Sequence, residues 1–154
     1  MTISLPEGIE VISEGCFYNS GVKEVHVPAS VKRIEGGVYD SKSGSYINGA
    51  FQSCKSLQTI TFAPNSQLKE IGQHAFQECG SLTISLPEGI EVISEGCFYS
   101  SGVKEVHIPA SVKRIEGRVY DSHSGNYTSY GAFQSCYSLQ KVTFAPGSQL
   151  TSIG

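Results

Sequence analysis

The chain has 154 residues, 39% of them hydrophobic and 16% charged, and a formal net charge of −3. This length and composition suit one folded domain, and an acidic balance without basic runs argues against nucleic acid or an anionic membrane surface as a partner. The sequence contains no run of 18 apolar residues, so it predicts no membrane span.

The first predicted element is the alternating run TISLP at residues 2–6, and related runs return along the whole chain. Alternation of polar and apolar residues predicts half-buried strands, and the proline that closes each run cannot donate a ladder hydrogen bond. A second apolar pair follows each run, and a small residue followed by phenylalanine then follows in the first five. The predicted strands are 2–5, 24–27, 59–62, 83–86, 105–108 and 141–144.

These elements are arranged in two long units, 2–82 and 83–154. Residues 2–44 recur as 83–125 with differences only at Asn19/Ser100, Val27/Ile108, Gly37/Arg118 and Lys42/His123. Residues 49–72 return as 131–154, with one extra loop residue before them. Self-similarity of this kind is the signature of a repeat architecture.

The repeated motifs resemble a known family. AFQSCKSLQTI (50–60), AFQECGSLTI (75–84) and AFQSCYSLQKV (132–142) are similar to the BspA-like leucine-rich repeat of bacterial and protist surface proteins. The resemblance implies a leucine-rich-repeat fold, location at the cell surface or in secreted form, and adhesin-like binding of host or matrix proteins.

Packing considerations predict the same fold. One segment cannot bury its own apolar residues, whereas stacked segments form a continuous core. We therefore expect a single domain over 1–154: a right-handed solenoid of about six coils, with a parallel β-sheet on one face and turns with short helical or 3₁₀ pieces on the convex side. The side chains predicted to point inward are Ile3, Leu5, Val25, Val27, Ile60, Phe62 and their copies, with Phe17, Phe51, Phe76, Phe98 and Phe133.

The two ends of the sequence fall within repeats. Met1 stands where Leu82 stands in the next unit and is interpreted as an expression start, without a signal peptide; Gly154 corresponds to Gly72. We interpret the chain as a natural fragment or an engineered excerpt of a longer array with uncapped ends. Uncovered coil ends predict self-association at high concentration.

The five cysteines are predicted to be buried structural thiols. Cys16 and Cys97 replace alanine of other segments, and Cys54, Cys79 and Cys136 replace serine, which marks small inward positions. A disulfide between adjacent coils stays open as the alternative, and a reactive thiol as a further one. The spacings match no metal-binding pattern.

No arrangement of residues predicts catalysis, a metal or a cofactor. The aligned positions offer no nucleophile beside a base, so the sequence indicates no enzyme. His26 and His107 fall on the exposed sheet face beside Glu24 and Glu105, where they are either solvated strand residues or part of a binding face.

Two insertions interrupt the repeat at EGGVYDSKSGSYINGA (35–50) and EGRVYDSHSGNYTSYGA (116–132). Tyrosine with small polar residues is typical of binding loops. The insertions lack most of the acidic ligands that a calcium-binding loop needs. Asn126 begins an N-glycosylation sequon, which matters only if a eukaryotic secretory pathway handles the chain. The predicted partner-binding residues are Tyr39, Tyr46, Tyr120, Tyr127 and Tyr130, with Glu24, His26, Glu105 and His107 as a secondary surface.

Two functions therefore remain open from the sequence. The leading one is a non-catalytic protein-interaction module of a cell-surface or secreted adhesin-like repeat protein, with an unidentified protein as ligand. The alternative is a structural or engineered repeat scaffold, in which the insertions are tolerated loops without a ligand of their own.

Overall fold

A computed structural model describes residues 1–40, 42–127 and 129–154 of the chain. Ser41 lies outside the described residues, as does Thr128 of the glycosylation sequon. The strands are β1 Thr2–Ser4, β2 Val11–Ile12, β3 Glu24–Val27, β4 Arg33–Ile34, β5 Val38–Asp40, β6 Ser45–Ile47, β7 Thr59–Phe62, β8 Glu70–Ile71, β9 Thr83–Ser85, β10 Val92–Ile93, β11 Glu105–Ile108, β12 Arg114–Ile115, β13 Tyr120–Asp121, β14 Asn126–Tyr127, β15 Lys141–Phe144 and β16 Ser152–Ile153.

The first strand of each coil joins one parallel sheet in sequence order, β1-β3-β7-β9-β11-β15, which confirms the predicted strands and their order. The register aligns equivalent residues, with Val25 opposite Ile60 and Val106 opposite Val142. Alternate side chains therefore point into the coil, as expected for a pleated strand. The hydroxyl residues between them lie on the outer face, where Thr59, Thr61, Thr83 and Ser85 are exposed.

Two further ladders complete each coil. The second apolar pair forms the three-stranded parallel sheets β2-β4-β8 and β10-β12-β16. The phenylalanines form a continuous stack across five coils, with ring centroids 5.0 Å apart for Phe17 and Phe51, 5.3 Å for Phe51 and Phe76, and 5.5 Å for Phe76 and Phe98. The convex side of the described residues consists of turns in place of the helical or 3₁₀ pieces that the sequence suggested.

The side chains of the terminal coils are less buried than those of the interior. Cys16 is exposed and Cys136 is half-buried, so the prediction of five buried thiols is wrong for Cys16 and only partly right for Cys136. Phe144, the copy of Phe62, is 43% exposed although it was predicted to point inward. Within the described residues, no further coil packs on the outer faces of the first and last coils, which explains the difference.

The interior thiols lie in a ladder beneath the phenylalanines. All five cysteines are free, and the Sγ of Cys54 donates to the Phe17 carbonyl at 2.9 Å while the Sγ of Cys79 donates to the Phe51 carbonyl at 3.2 Å. Burial raises the pKa of Cys97 and that of Cys79. Both of these thiols stay protonated, and the hydrogen bonds of Cys54 and Cys79 join adjacent coils.

No helix in residues 1–40, 42–127 and 129–154 has the length and apolar character needed to cross a membrane.

Candidate functional site

The first insertion folds as a two-stranded antiparallel hairpin, a structure that the sequence did not predict. Strands β5 and β6 pair with Tyr39 directly opposite Tyr46. The turn is held by the Asp40 carboxylate, whose Oδ1 accepts from the Lys42 backbone N–H at 2.9 Å and whose Oδ2 accepts from the Ser43 hydroxyl at 2.7 Å. The pKa of Asp40 is lowered mainly by the hydrogen bond from the Ser43 hydroxyl and next by that from the Lys42 backbone N–H. The Asp40 carboxylate therefore stabilises the turn of the hairpin.

The second insertion forms the equivalent hairpin from β13 and β14. Tyr120 lies opposite Tyr127, with their ring centroids 5.3 Å apart and the ring planes at 66°. The guanidinium carbon of Arg118 lies 3.8 Å from the centroid of the Tyr127 ring, which is a cation–π contact. The first copy has Gly37 at this position, so only the second hairpin has this contact.

The two hairpins approach each other over the turns of the coils that lie between them. His74 contacts Tyr46 from one side, with ring centroids 6.3 Å apart and planes at 65°. It contacts Tyr130 from the other side at 6.0 Å and 79°. Tyr130 in turn stacks on Tyr99 at 4.1 Å, and its carbonyl accepts from the Gly96 backbone N–H at 2.7 Å. We call Tyr46, His74, Tyr99 and Tyr130 the aromatic junction.

The backbone conformation of His74 explains how its imidazole ring reaches the space between Tyr46 and Tyr130. The residue before the small–Phe pair is Gly15, Gly49, Gly96 or Gly131 in the other coils and histidine only here. His74 has a φ of 58°, in the left-handed region that non-glycine residues rarely occupy. Its ring lies against Gly96, where any Cβ would overlap the imidazole. A strained histidine thus fits because the facing residue has no side chain.

Two polar atoms at the junction are buried without a hydrogen-bond partner in the described structure, His74 Nδ1 and Glu95 Oε2. The other oxygen of Glu95 accepts from the Gln73 side-chain amide. Burial lowers the pKa of His74, while the Glu95 carboxylate and the Gln77 side chain act in the opposite direction. Burial also raises the pKa of Tyr46. Burial therefore favours the uncharged forms of His74 and Tyr46 at the junction.

The predicted secondary surface lies on the sheet face, a different part of each coil. His26 Nδ1 lies 2.6 Å from the Thr61 hydroxyl, and His107 Nδ1 lies 2.8 Å from the Thr143 hydroxyl. The carboxylate of Glu24 accepts from the Thr2 hydroxyl at 2.8 Å. All four predicted residues of this surface are exposed: Glu24, His26, Glu105 and His107. Glu24 and His26 lie on β3, and their copies Glu105 and His107 lie on β11.

The sheet face also carries a groove of about 700 Å³ between the third and fourth coils. Strands β7 and β9 pair only at Thr59 with Thr83 and at Ile60 with Ile84, and then separate. Beyond them, Pro87 has no N–H to continue the ladder. The residues that line the groove include Phe62, Leu86 and Glu88. The pKa of Glu88 is lowered, mainly by the hydrogen bond that its carboxylate accepts from the Ala110 backbone N–H.

The structure places all five predicted tyrosines on the hairpins and their flanks, with exposed fractions between 42% and 66%. It brings Tyr46 and Tyr130 together through His74, while Tyr39, Tyr120 and Tyr127 lie on the paired strands of the hairpins. Sequence reasoning missed His74, Tyr99 and Arg118 as members of this surface. One signal was available, since His74 is the only departure from glycine at its repeat position.

Comparison with known proteins agrees with this architecture. The profile of the BspA type leucine rich repeat region matches residues 1–45 and 41–126 in six copies. The chain therefore belongs to the BspA-type leucine-rich repeat family. No curated protein matches it.

Two solved structures match the chain, and the likeness of the first is one of fold. A leucine-rich repeat protein from Eubacterium ventriosum ATCC 27560 matches with a TM-score of 0.65 and 24% identity over 96% of this chain and 32% of that chain. A leucine rich cell surface protein from Faecalibacterium prausnitzii A2-165 matches with a TM-score of 0.44 and 20% identity over 93% of this chain and 47% of that one. The chain thus spans about a third of the first protein and about half of the second.

Proposed function

We propose that the chain is a non-catalytic protein-interaction module of a cell-surface or secreted adhesin-like repeat protein. Its ligand is a protein that binds the tyrosine hairpins. The observation that carries the proposal is the aromatic junction, because it joins exposed tyrosines from two distant insertions into one surface. The family supports a repeat module of this class.

Tyrosine is the appropriate residue for such a surface. It offers a large amphipathic contact area at low cost in side-chain entropy, and it is enriched among interface hot spots. The coil core does not use these rings, since Tyr39, Tyr120 and Tyr127 are more than half exposed. A solenoid does not need such rings to stack, and this favours binding over a purely structural spacer.

The junction also changes the expected mode of binding. Equivalent loops three coils apart suggest two separate patches that bind a repetitive ligand with avidity. Contact through His74 instead makes one continuous surface, and Arg118 makes its two ends different. We infer a single partner molecule that covers both hairpins.

The test uses point variants that keep the hairpin backbone. Tyr39→Ser with Tyr46→Ser, and Tyr120→Ser with Tyr127→Ser, are compared in binding to a panel of immobilised purified matrix and serum proteins. Each pair should weaken any bound member of the panel by about tenfold or more, since truncating a hot spot costs roughly 2 kcal/mol or more. The control is Tyr137→Ser, because Tyr137 is 95% exposed and lies outside the hairpin strands in sequence.

Binding that survives both hairpin pairs but is lost in His26→Ala with His107→Ala would transfer the site to the sheet face. Binding that survives all of these variants would contradict both surfaces. In that case the hairpins would be tolerated insertions on a scaffold.

We further propose that the isolated 154-residue chain associates end to end. Its last coil exposes Phe144 and 67% of Ile153, and β1 and β15 are the edge strands of the main sheet. Strand β15 is the copy of β7, and β1 is the copy of β9. We therefore expect β15 of one chain to pair with β1 of the next chain as β7 pairs with β9 within the chain. The molar mass measured by light scattering should rise with protein concentration, and a Phe144→Glu variant should show a smaller rise. A constant monomer mass over a wide concentration range would contradict the proposal.

A further inference from the structure

We propose that His74 is a proton-operated contact between the two hairpins. The neutral ring holds Tyr46 and Tyr130 in one surface, and protonation of the ring separates them. The inference rests on the proposed function for its biological meaning, since it makes partner binding depend on pH. The contact itself can be tested without any partner.

The placement of His74 argues that this ring has a specific task. Four other coils have glycine at the same position, and glycine would adopt the left-handed backbone without strain. Histidine keeps a φ of 58° here, a conformation that costs about 1–2 kcal/mol in a residue with a Cβ. The ring then fills the space above Gly96 between the hairpins. Among the ring–ring contacts of the described residues, those of His74 reach an aromatic ring of each insertion.

The groups around the ring determine the direction of the effect. The titratable side chains that face it are Tyr46 from the first hairpin, Tyr130 after the second hairpin and Glu95 from the fourth coil, with neutral Gln77 on its own turn. Burial is the largest influence and lowers the pKa of His74, and Glu95 opposes it only in part. The neutral ring is thus the form that fits the closed junction.

Protonation adds a second N–H donor and a charge, which the Glu95 carboxylate and the Gln77 side chain offset only in part. In the closed junction His74 Nδ1 has no hydrogen-bond partner, and the buried acceptor without a donor is Glu95 Oε2. The two groups do not form an ion pair within 4.0 Å in the described structure. We infer that an imidazolium moves toward Glu95 or toward solvent, where its charge and its second N–H are better satisfied, and so leaves Tyr46 and Tyr130.

The sign for stability follows from linkage. A histidine whose pKa is lowered on folding takes up fewer protons in the folded state than in the unfolded chain, where its pKa is 6.5. The closed junction is therefore fully stable above pH 6.5 and loses stability as the pH falls from there toward the lowered pKa. For each unit by which the pKa of His74 is lower in the closed junction than in the open one, the proton affinity of the ring differs by tenfold.

The experiment is an NMR titration of the whole chain with labelled histidine and tyrosine rings, from about pH 7.5 to about pH 4.5, a range that brackets the histidine pKa. We expect His74 to titrate below pH 6.5, the pKa of an unperturbed histidine. The ring signals of Tyr46 and Tyr130 should shift with the same midpoint, while those of Tyr18 and Tyr137 should not. If His74 titrates at or above pH 6.5, or if Tyr46 and Tyr130 do not respond, the proposal is wrong.

Variants separate a proton switch from a structural role. His74→Phe keeps an aromatic ring without a proton site and should leave Tyr46 and Tyr130 insensitive to pH, whereas His26→Gln should leave their response intact. Glu95→Gln should move the His74 midpoint to lower pH, because the carboxylate favours the imidazolium. The matched control is Glu14→Gln, at the same position of the first unit, which should not move it.

The outcome is independent of partner binding. If the ring signals of Tyr46 and Tyr130 follow the titration of His74 but no member of the protein panel binds, the result would support the switch and contradict only the proposed function. Conversely, a ligand that binds the hairpins with equal affinity at both ends of the pH range would support the function and contradict the switch. A ligand released at low pH by the parent chain but retained by His74→Phe would support both.

Discussion

The turns around Cys16 and Cys97 are identical in sequence and different in environment. Both lie in the segment ISEGCFY, and both follow a glycine in the left-handed region, with φ of 65° at Gly15 and 61° at Gly96. Cys16 is nevertheless exposed while Cys97 is only 1% exposed. The local sequence determines the turn, but the neighbouring coil determines burial. Each pair of copies is therefore a natural control for the effect of stacking.

The largest expected difference between the copies is in thiol reactivity. Cys16 should react with a thiol reagent in the folded protein, whereas Cys97 must wait for an opening of the fold and also has its pKa raised by burial. We expect rates that differ by about 10³-fold or more. Mass spectrometry of timed, quenched peptides measures them. Equal rates at Cys16 and Cys97 would show that stacking does not protect the second turn.

The phenylalanine stack offers the next comparison. Phe76 is stacked on both sides, by Phe51 and Phe98, while Phe17 contacts only Phe51 in the stack. Phe76→Ala should lower the free energy of unfolding by about 3–5 kcal/mol, as for other buried aromatic residues. Phe17→Ala should cost about half as much, since one face of its ring is already uncovered. Chemical denaturation measures both, and equal losses would contradict the assignment of Phe17 to a terminal coil.

Gly15 and Gly96 sharpen the comparison at the candidate site. Alanine at either position is strained by a positive φ, at a cost of about 1–2 kcal/mol. Only at Gly96 would the added Cβ also overlap the His74 ring, whereas Gly15 has no atom within 4 Å of that point. Gly96→Ala should therefore destabilise the chain by about 1–3 kcal/mol more than Gly15→Ala. It should also displace the Tyr46 and Tyr130 ring signals at neutral pH.

Removal of the His74 side chain provides the control for that interpretation. In a His74→Gly background the extra cost of Gly96→Ala should disappear, because the overlapping ring is gone. Persistence of the full difference would mean that another contact of the fourth coil causes it.

The fold was predictable because its signals repeat. Each strand run alternates and ends at proline, so six weak local patterns reinforce one another, and the register follows from alignment of equivalent residues. Cys16 and Phe144 were predicted to be buried for the same reason, since they share the pattern of interior copies. Their exposure depends on what lies beside the coil, and a repeat pattern contains no information about that.

The candidate site was predictable only in composition. Tyr39 and Tyr46 were recognised as binding-loop residues, but their pairing in a hairpin depends on a turn held by Asp40 and on Gly44 at a φ of 69°. The contact of both insertions with His74 arises from residues far apart in sequence. It becomes visible only when the coils are stacked, although the loss of glycine at position 74 marks the place.

The smallest expected effect is at two surface ion pairs, where the copies should behave alike. Lys32 and Glu10 are 2.6 Å apart, Lys113 and Glu91 are 3.0 Å apart, and both pairs have side chains exposed by 48% and 61%. Exposed pairs contribute about 0.2–1 kcal/mol, and salt screens them. Double-mutant cycles with alanine should give coupling energies in this range that agree between the copies and decline in high salt. A large difference between the two cycles would mean that position along the solenoid affects even solvated contacts, and the contrast between Cys16 and Cys97 could then no longer be ascribed to burial alone.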